Sequence, residues 1–560
     1  MPLNMPELLC PAGSFDALRA AVLGGADAVY LGAPRFNARM RAKNFDDETL
    51  KKGIDFCHEK GVRVYVTVNT LLTDRQMPDA LALAADLWEM GADALIVADL
   101  GLARVLREQL PDLPLHASTQ ASGHSVGAAE LFRKIGFSRM VCAREMDREN
   151  LKELCEKSPI PVEMFIHGAI CACHSGQCLM SSMIGGRSGN RGECAQPCRL
   201  PYNGKYPISF KDLCLAGHMR EILSLGVASL KVEGRMKSPR YVYEVASVYR
   251  RLLDEGRDAS PREIESLRNA FSRSGFTDGY FTGKIDGSML GIRREEDKDK
   301  SRAASQVMRD LAPIRKPVVY ERAPVKPVCP PLPPEKQAPS GVSYRFSNGA
   351  QIPPELMQEL CFLPLDRYVP GVRGVVMPAV VFPRAEKDVL NRLRRAKDQG
   401  ATDLLITNPG QLPLVRDEGF VLHGDFRLNV TNSFAPLAFD GVADFIVSPE
   451  LNPAQIRDPS LPKTVLIYGK LPLMLLEKPV GGKTLRDRRG VVFPVIREGK
   501  RDLLLNAVPV YMLDKKEELD KMNAPSRHLF FTTETPGEVR GVLNAYRRGE
   551  APKGAVRRIK

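Results

Sequence analysis

The sequence predicts an α/β protein: a (β/α)8 TIM-like barrel with a long cysteine-bearing loop after strand 7, then a second α/β domain resembling a degenerate, partial copy. Three observations carry this expectation. The first 235 residues repeat one phrase, an amphipathic helical run, a glycine and a short β-branched apolar run, which together make a helix, its cap and a strand. The phrase and its variants supply eight strands, the number that closes a barrel. Segments such as Ala94-Leu95-Ile96-Val97 are continuously apolar, as parallel strands covered by helices on the outside are.

In chain order, Leu8 to Cys10 is the first strand. Gly25 precedes Asp27 to Leu31, Gly61 precedes Val62 to Val68, and Gly91 precedes Asp93 to Val97. Leu115 to Ser118 is the fifth, Gly136 precedes Met140 and Val141, Val162 to Ile166 is the seventh, and Gly226 precedes Ser229 to Val232. A doubly wound open sheet is the alternative, but it calls for a G-x-G-x-x-G turn after an early strand, and none is present. The rhythm breaks once, where about sixty residues separate the seventh strand from the eighth. A barrel repeat usually takes ~20 to 30 residues. This insertion, residues 167–228, leaves the carboxyl end of a strand, on the face where barrels carry their active sites.

The barrel is expected to span residues 1–256, with a helical and basic extension over 257–312. Nine prolines between Pro313 and Pro339 mark a linker over 313–340, since that composition resists packing and favours extended chain. In the C-terminal α/β domain, 341–560, Gly400-Ala-Thr-Asp-Leu-Leu-Ile-Thr-Asn echoes Gly91-Ala-Asp-Ala-Leu-Ile-Val-Ala-Asp, and Phe445-Ile-Val-Ser-Pro-Glu450 echoes Met140-Val-Cys-Ala-Arg-Glu145. Where the first half reads Ile166-His167-Gly168, the second reads Ile467-Tyr468-Gly469, with no cysteine after it. The chemistry is therefore expected in the first copy.

Of 560 residues, 44% are apolar and 26% charged, an ordinary soluble balance. Eighty Lys and Arg against 67 Asp and Glu leave +13, which favours a polyanion such as RNA or a small acidic substrate. With no apolar stretch of eighteen residues and no charged start followed by an apolar run, the expectation is a cytoplasmic protein without a membrane partner. Twelve cysteines are too dilute for a disulfide scaffold, so a cluster of them in a reducing compartment points to metal.

Five cysteines lie between residues 171 and 198, and Cys171, Cys178, Cys194 and Cys198 are separated by six, fifteen and three residues. Four thiolates from one glycine-rich loop satisfy tetrahedral zinc or an iron–sulfur cubane, and the open C-x6-C half favours iron–sulfur. Cys173, His167 and His174 are alternative ligands. Around the thiols stand Arg187, Asn190, Arg191 and Arg199, and the eighth strand runs into Glu233, Arg235 and Lys237. The arginines and Lys237 suit a dicarboxylate or phosphate, or they neutralise an anionic cluster. Glu233 is a general acid or base, or the ion-pair partner of Arg235. His167, Glu233 and Arg235 are the candidate catalytic residues. No H-E-x-x-H or G-x-S-x-G is present, and Gly482-Lys483-Thr484 has Glu477 where a phosphate loop needs its first glycine.

Glu7-Leu-Leu-Cys-Pro-Ala-Gly, Gly25-Ala-Asp-Ala-Val-Tyr-Leu-Gly, Arg35-Phe-Asn-Ala-Arg39, His167-Gly-Ala, the cysteine loop, Lys231-Val-Glu-Gly-Arg-Met-Lys-Ser-Pro and Gly275-Phe-Thr-Asp-Gly-Tyr together resemble the collagenase-like peptidase family of unknown catalytic type, number thirty-two. The likeness spans about residues 5 to 290. Its members include enzymes that hydroxylate carbon five of RNA pyrimidines, on tRNA wobble uridine or on a cytidine of large-subunit ribosomal RNA. Others serve oxygen-independent ubiquinone hydroxylation, and the family name is that of a peptidase. The resemblance implies a 4Fe-4S cluster on Cys171, Cys178, Cys194 and Cys198 with Cys173 a bystander, and cluster-assembly machinery as a partner. It also implies prephenate as a co-substrate, a dicarboxylate that gives Arg187, Arg191 or Arg235 an anionic client. With its additional C-terminal region the chain resembles the longer, ribosomal-RNA type. Arg547, Arg548, Lys553, Arg557, Arg558 and Lys560 against Glu550 form a basic tail suited to tracking phosphates or to lying in solvent.

Overall fold

The computed structural model describes residues 5–559 apart from 41–43, 298–307, 335 and 337. All eight expected strands of the first half form. They are β1 (Glu7–Pro11), β2 (Ala28–Gly32), β3 (Arg63–Val68), β4 (Ala94–Val97), β5 (Leu115–Ala117), β6 (Arg139–Val141), β7 (Val162–Gly168) and β8 (Ser229–Val232). Each pairs in parallel with the next, and β8 returns to β1, so the barrel closes. Five of the helices between them start at side-chain caps: Ser14, Asp46, Asp99, Ser125 and Asp147 each accept a backbone N–H of the first turn. The five glycines that precede strands all have positive φ, between 67° and 108°, the backbone state in which a side chain is strained.

The expected α/β copy in the second half is present, and it is complete where a partial one was expected. Eight parallel strands close a second barrel: β9 (Gly341–Phe346), β10 (Cys361–Pro364), β11 (Gly374–Val376), β12 (Asp403–Ile406), β13 (Val421–Gly424), β14 (Val442–Ile446), β15 (Lys463–Gly469) and, after four strands of an insertion, β20 (Ser526–Phe531). Only its middle was recognisable because β9 and β10 are joined by short 3-10 turns, Gly349–Gln351 and Pro354–Leu356, which leave no helical period to read. The insertion after β15 carries β16 (Pro472–Leu476), β17 (Thr484–Arg486), β18 (Val492–Glu498) and β19 (Arg501–Leu505) as one antiparallel sheet. Both barrels therefore carry their large insertion after the seventh strand.

The two barrels meet through loops at the carboxyl ends of their fourth and fifth strands, exchanged as if by a two-fold axis. Asp99, after β4, accepts Asn432 Nδ2 at 2.9 Å, and Asn432 follows β13. Asn408, after β12, donates to Ser122 O at 3.0 Å, and Ser122 follows β5. The pairs are buried, so each leaves a costly unpaired polar group if its partner is lost.

The proline-rich segment bridges nothing through solvent. It has no regular structure, but it lies as a strap along the underside of the first barrel, bonded to successive helix ends. Leu311 N donates to Leu23 O, Val318 N to His58 O, Tyr320 Oη to Met90 O and Arg322 to Trp88 O and Ala92 O, all within 2.7 to 2.9 Å. Proline-rich chain cannot build its own ladder, so it takes partners from carbonyls that helix ends leave free. The extension before it packs on the barrel: Pro261–Ala270 lies against the long helix Pro239–Glu255, while 298–307 lie outside the described residues.

Gly91 joins both themes, since its φ is 107° and a methyl there sits 2.5 Å from the Tyr320 ring of the strap. Gly91→Ala is expected to lower stability by about 2 kcal/mol and the thermal midpoint by several degrees. Gly287→Ala, with nothing within 4 Å, serves as the neutral control in the same melt. Equal midpoints for the two variants would contradict the strap.

Candidate active site

The connection after β7 folds across the carboxyl ends of the first barrel's strands. Its last part, Asp212–Cys214, pairs antiparallel with the end of β7. Along the way Ser175 O accepts Ser122 Oγ at 3.0 Å, Asn190 O accepts Leu71 N at 3.0 Å, and Gly192 is packed against Asn37 so closely that a methyl there meets Asn37 O. The loop thus touches the connections that follow β2, β3 and β5, and its cysteines stand over the mouth.

Cys171, Cys194 and Cys198 are each near enough to Cys178 to feel its charge, and Cys198 also feels Cys171 and Cys194. Cys171 and Cys194 open to solvent and the other two are half-buried. As placed, they are not a closed coordination sphere, and no three such donors among the described residues stand in metal-binding geometry. Burial pushes the Cys198 thiol up to about 12, and Arg144 and Arg39 beside Cys171 favour its anionic form. Cys178 is raised first by its hydrogen bond with Cys173 and then by burial. Thiols raised in this way ionise when a cation takes the place of the proton. Gln196 N points at Cys194 Sγ from 3.3 Å, the donor arrangement that an anionic sulfur accepts.

Beneath the thiols is the mouth of the barrel, lined by Tyr30, Arg39, Thr67, Asn69, Arg144 and Glu233 with their neighbours Ser118, Phe165, Lys231 and Arg235. Lower down, Glu163 is buried between Lys231 Nζ at 2.6 Å and Arg139 at 3.1 Å. At the top, Glu233 faces Arg39 at 3.2 Å and Arg144 at 4.0 Å. Burial alone would raise the Glu233 carboxyl, but Arg39, Arg144 and Arg235 outweigh it and hold it below its usual range. Arg235 is buried and rests on neutral oxygens, Thr67 Oγ1 and Asn37 Oδ1, each at 3.2 Å. Burial, with Arg39 beside it, lowers Arg235 to about 10, which still leaves it charged near neutrality. Three guanidiniums around one carboxylate leave an excess of positive charge in a desolvated cup, an arrangement that binds an anion.

The residues expected from sequence divide accordingly. Glu233 and Arg235 line the mouth with the cysteines above them. His167 does not: it is buried behind the wall, its Nδ1 3.4 Å from Tyr249 Oη, with Tyr241 and Phe276 packed on its ring. Burial lowers it to about 3, so it is a neutral imidazole. His174, the other alternative ligand, turns its Nε2 to Glu477 at 2.7 Å. Arg187 donates to Glu193 O, Arg191 to Gln76 Oε1, Asn190 to Glu450 Oε2, and Arg199 to Ile170 O and Phe210 O. Arg187 and Arg199 hold the loop's own shape, while Arg191 ties it to the connection after β3 and Asn190 ties it to the second barrel. Lys237 lies over the Phe271 ring, and burial with Arg273 and Arg293, against Asp212, lowers it to about 7. In the tail, Arg557 donates to Met183 O and Arg558 grips Asp514, so these two do not wave in solvent; Lys560 lies outside the described residues.

Sequence reasoning missed Arg39 and Arg144. The signal for each was present: Arg39 closes the motif Arg35-Phe-Asn-Ala-Arg39, and Arg144 stands just past the carboxyl end of β6.

The family model for peptidase family U32 matches residues 13–289. The tRNA hydroxylation protein P of Helicobacter pylori is 36% identical over 303 residues, half of this chain and 72% of that one. The chain belongs to peptidase family U32. Among its U32 relatives, the 23S rRNA 5-hydroxycytidine C2501 synthase of Escherichia coli is 39% identical over 259 residues, which is 44% of this chain and only 39% of that protein. A Porphyromonas gingivalis protein named collagenase is 32% identical over 315 residues, 51% of this chain and 75% of that one. All of these matches cover about half of the chain.

The mouth's charge makes a direct test. Arg39→Ala is expected to weaken binding of a small dicarboxylate by at least about tenfold, or ~1.4 kcal/mol, and Glu233→Gln to tighten it, both effects shrinking with salt. Isothermal titration that finds one affinity for wild type and both variants contradicts the assignment.

Proposed function

We propose that this protein hydroxylates RNA, at carbon five of a pyrimidine in ribosomal RNA (a cytidine) or transfer RNA (a uridine), with a 4Fe-4S cluster on Cys171, Cys178, Cys194 and Cys198. The observation that carries the reading is a loop with four cysteines that brings two of them, Cys171 and Cys194, beside Arg39 at the barrel mouth. The names of the U32 relatives that act on 23S rRNA and tRNA support the substrate class, as does the net charge of +13.

The residues fit a cluster in donor chemistry: four soft sulfurs, a backbone N–H aimed at one of them, and Arg39 and Arg144 close enough to offset its charge. When bound, such a cluster supplies electron transfer at the mouth. Arg39, Arg144 and Arg235 bind the co-substrate, for which a dicarboxylate such as prephenate has the right charge, and Thr67 and Asn37 fix the plane of the Arg235 guanidinium. Glu233, held ionised by its arginines, is a proton acceptor and not a donor at neutral pH. Loading depends on cluster-assembly machinery as a partner.

The peptidase name of the family finds less support here. Of the three aliphatic hydroxyls at the mouth, Thr67 is bonded to Arg235, Ser118 to Asn69 and Thr119 to Cys142 O, none of which is a base that activates a nucleophile. No described helix is long and apolar enough to cross a membrane.

Two outcomes are expected. Cys194→Ser abolishes the broad visible absorbance of protein purified without air, and an unaltered spectrum contradicts the ligand set. Liquid chromatography and mass spectrometry of rRNA and tRNA nucleosides, from cells with and without the gene, show loss of 5-hydroxycytidine or 5-hydroxyuridine. Unchanged levels of both remove the RNA reading.

A further inference from the structure

The large insertions of the two barrels grip one another. Strand β16 of the second barrel runs alongside the stretch that joins Cys171 to Cys178. His174 N donates to Leu475 O at 2.9 Å, Leu179 N donates to Leu473 O at 2.9 Å, and Leu475 N donates to Cys173 Sγ at 3.3 Å. Cys173 and Leu476 form an antiparallel bridge. Just past the strand, Glu477 takes His174 Nε2 at 2.7 Å on a carboxylate that also receives the Arg501 guanidinium. On the other side, His174 Nδ1 is 3.8 Å from Glu145, and Ser175 Oγ reaches Glu145 at 3.3 Å. Both carboxylates and the imidazole are withdrawn from water.

The Cys194–Cys198 half is tied to the same insertion. Asn203 N donates to Arg486 O and Arg486 N to Asn203 Oδ1, both at 2.9 Å, a reciprocal pair just downstream of Cys198. Between the halves, Met183 O accepts Arg557 at 2.8 Å and Asn190 donates to Glu450 at 3.0 Å, so further second-barrel residues hold the loop's helix and turn.

We infer that the second barrel is the positioning element of the cysteine loop, acting through β16 and the Glu477–His174 contact to hold Cys171 and Cys178 at the first barrel's mouth. The physical need is plain. A connection of about sixty residues with little regular structure has a large ordering entropy and backbone groups without a ladder of their own. Strand β16 supplies that ladder. Glu477 adds a charge-assisted bond in a poorly screened place, where such bonds are strongest. Cys173 is thereby an anchor: its sulfur is used by Leu475 N.

The test uses the full-length, metal-free protein. Maleimide labelling followed by mass spectrometry gives a rate for each cysteine, with buried Cys57 as the internal control. Glu477→Ala is expected to raise the labelling rate of Cys178 relative to Cys57 by about tenfold or more, and Glu477→Gln, which keeps an acceptor for His174, to restore most of the wild-type rate. Titration with Co(II) is expected to give weaker thiolate-to-metal absorbance in the Ala variant and near-normal absorbance in the Gln variant. An unchanged Cys178-to-Cys57 ratio in Glu477→Ala overturns the inference. Should that variant not fold, His174→Ala removes the same contact from its other side: an unchanged Cys178-to-Cys57 ratio there overturns the inference equally, and a raised ratio supports it. The inference draws on the cluster reading only for the identity of the metal: wild type lacking iron would end that reading and leave the labelling result standing.

Discussion

Everything at the proposed active site depends on the confinement of one connection. A segment that leaves the carboxyl end of β7 carries all four candidate sulfur donors, and its internal bonds, such as Arg187 to Glu193 O and Arg199 to Ile170 O, fix its local turns but not its place over the barrel. The frame comes from outside it. Ser122, Glu145 and Leu71 of the first barrel hold it from below, and β16, Glu477 and Arg486 of the second hold it from the side. An unanchored loop of this length spreads its thiols over many arrangements, and the entropy of gathering them falls on whatever they bind. Two-sided anchoring lowers that cost before any metal arrives.

The arrangement of charge follows from the same confinement. Buried guanidiniums are tolerated only where they find oxygens, and Arg235 finds Thr67 and Asn37 while Arg39 and Arg144 share Glu233. The result is a mouth with more positive than negative charge beneath sulfur atoms that become anionic on binding metal. A co-substrate carrying carboxylates and a polyanionic RNA are both drawn to such a place. On the proposed reading one barrel provides the chemistry, and the other, whose own long insertion has no cysteine, provides support.

Much of the fold was legible in the sequence because glycine and β-branched runs mark the points where helices release strands. Gly25, Gly61, Gly91, Gly136 and Gly226 each precede a strand that forms. The second barrel's closure was not legible, because β9, β10 and β11 are joined by turns without helical period and β20 comes only after a four-stranded insertion. Spacing placed the cysteines together on one loop at the mouth. It misplaced His167, since the register shift near the end of β7 carries its ring to the outside, against Tyr249. The loop arginines were misjudged for a different reason. Arg187, Arg191 and Arg199 look like substrate ligands in a sequence, but backbone carbonyls and Gln76 use them first, whereas Arg39 and Arg144, distant in the chain, reach the mouth only through folding.

The most direct test of the central claim is iron and acid-labile sulfide analysis of the wild-type protein purified without exposure to air. About four of each per chain is the predicted result. Stoichiometric zinc, or protein that stays free of both iron and sulfide after anaerobic reconstitution, would contradict it.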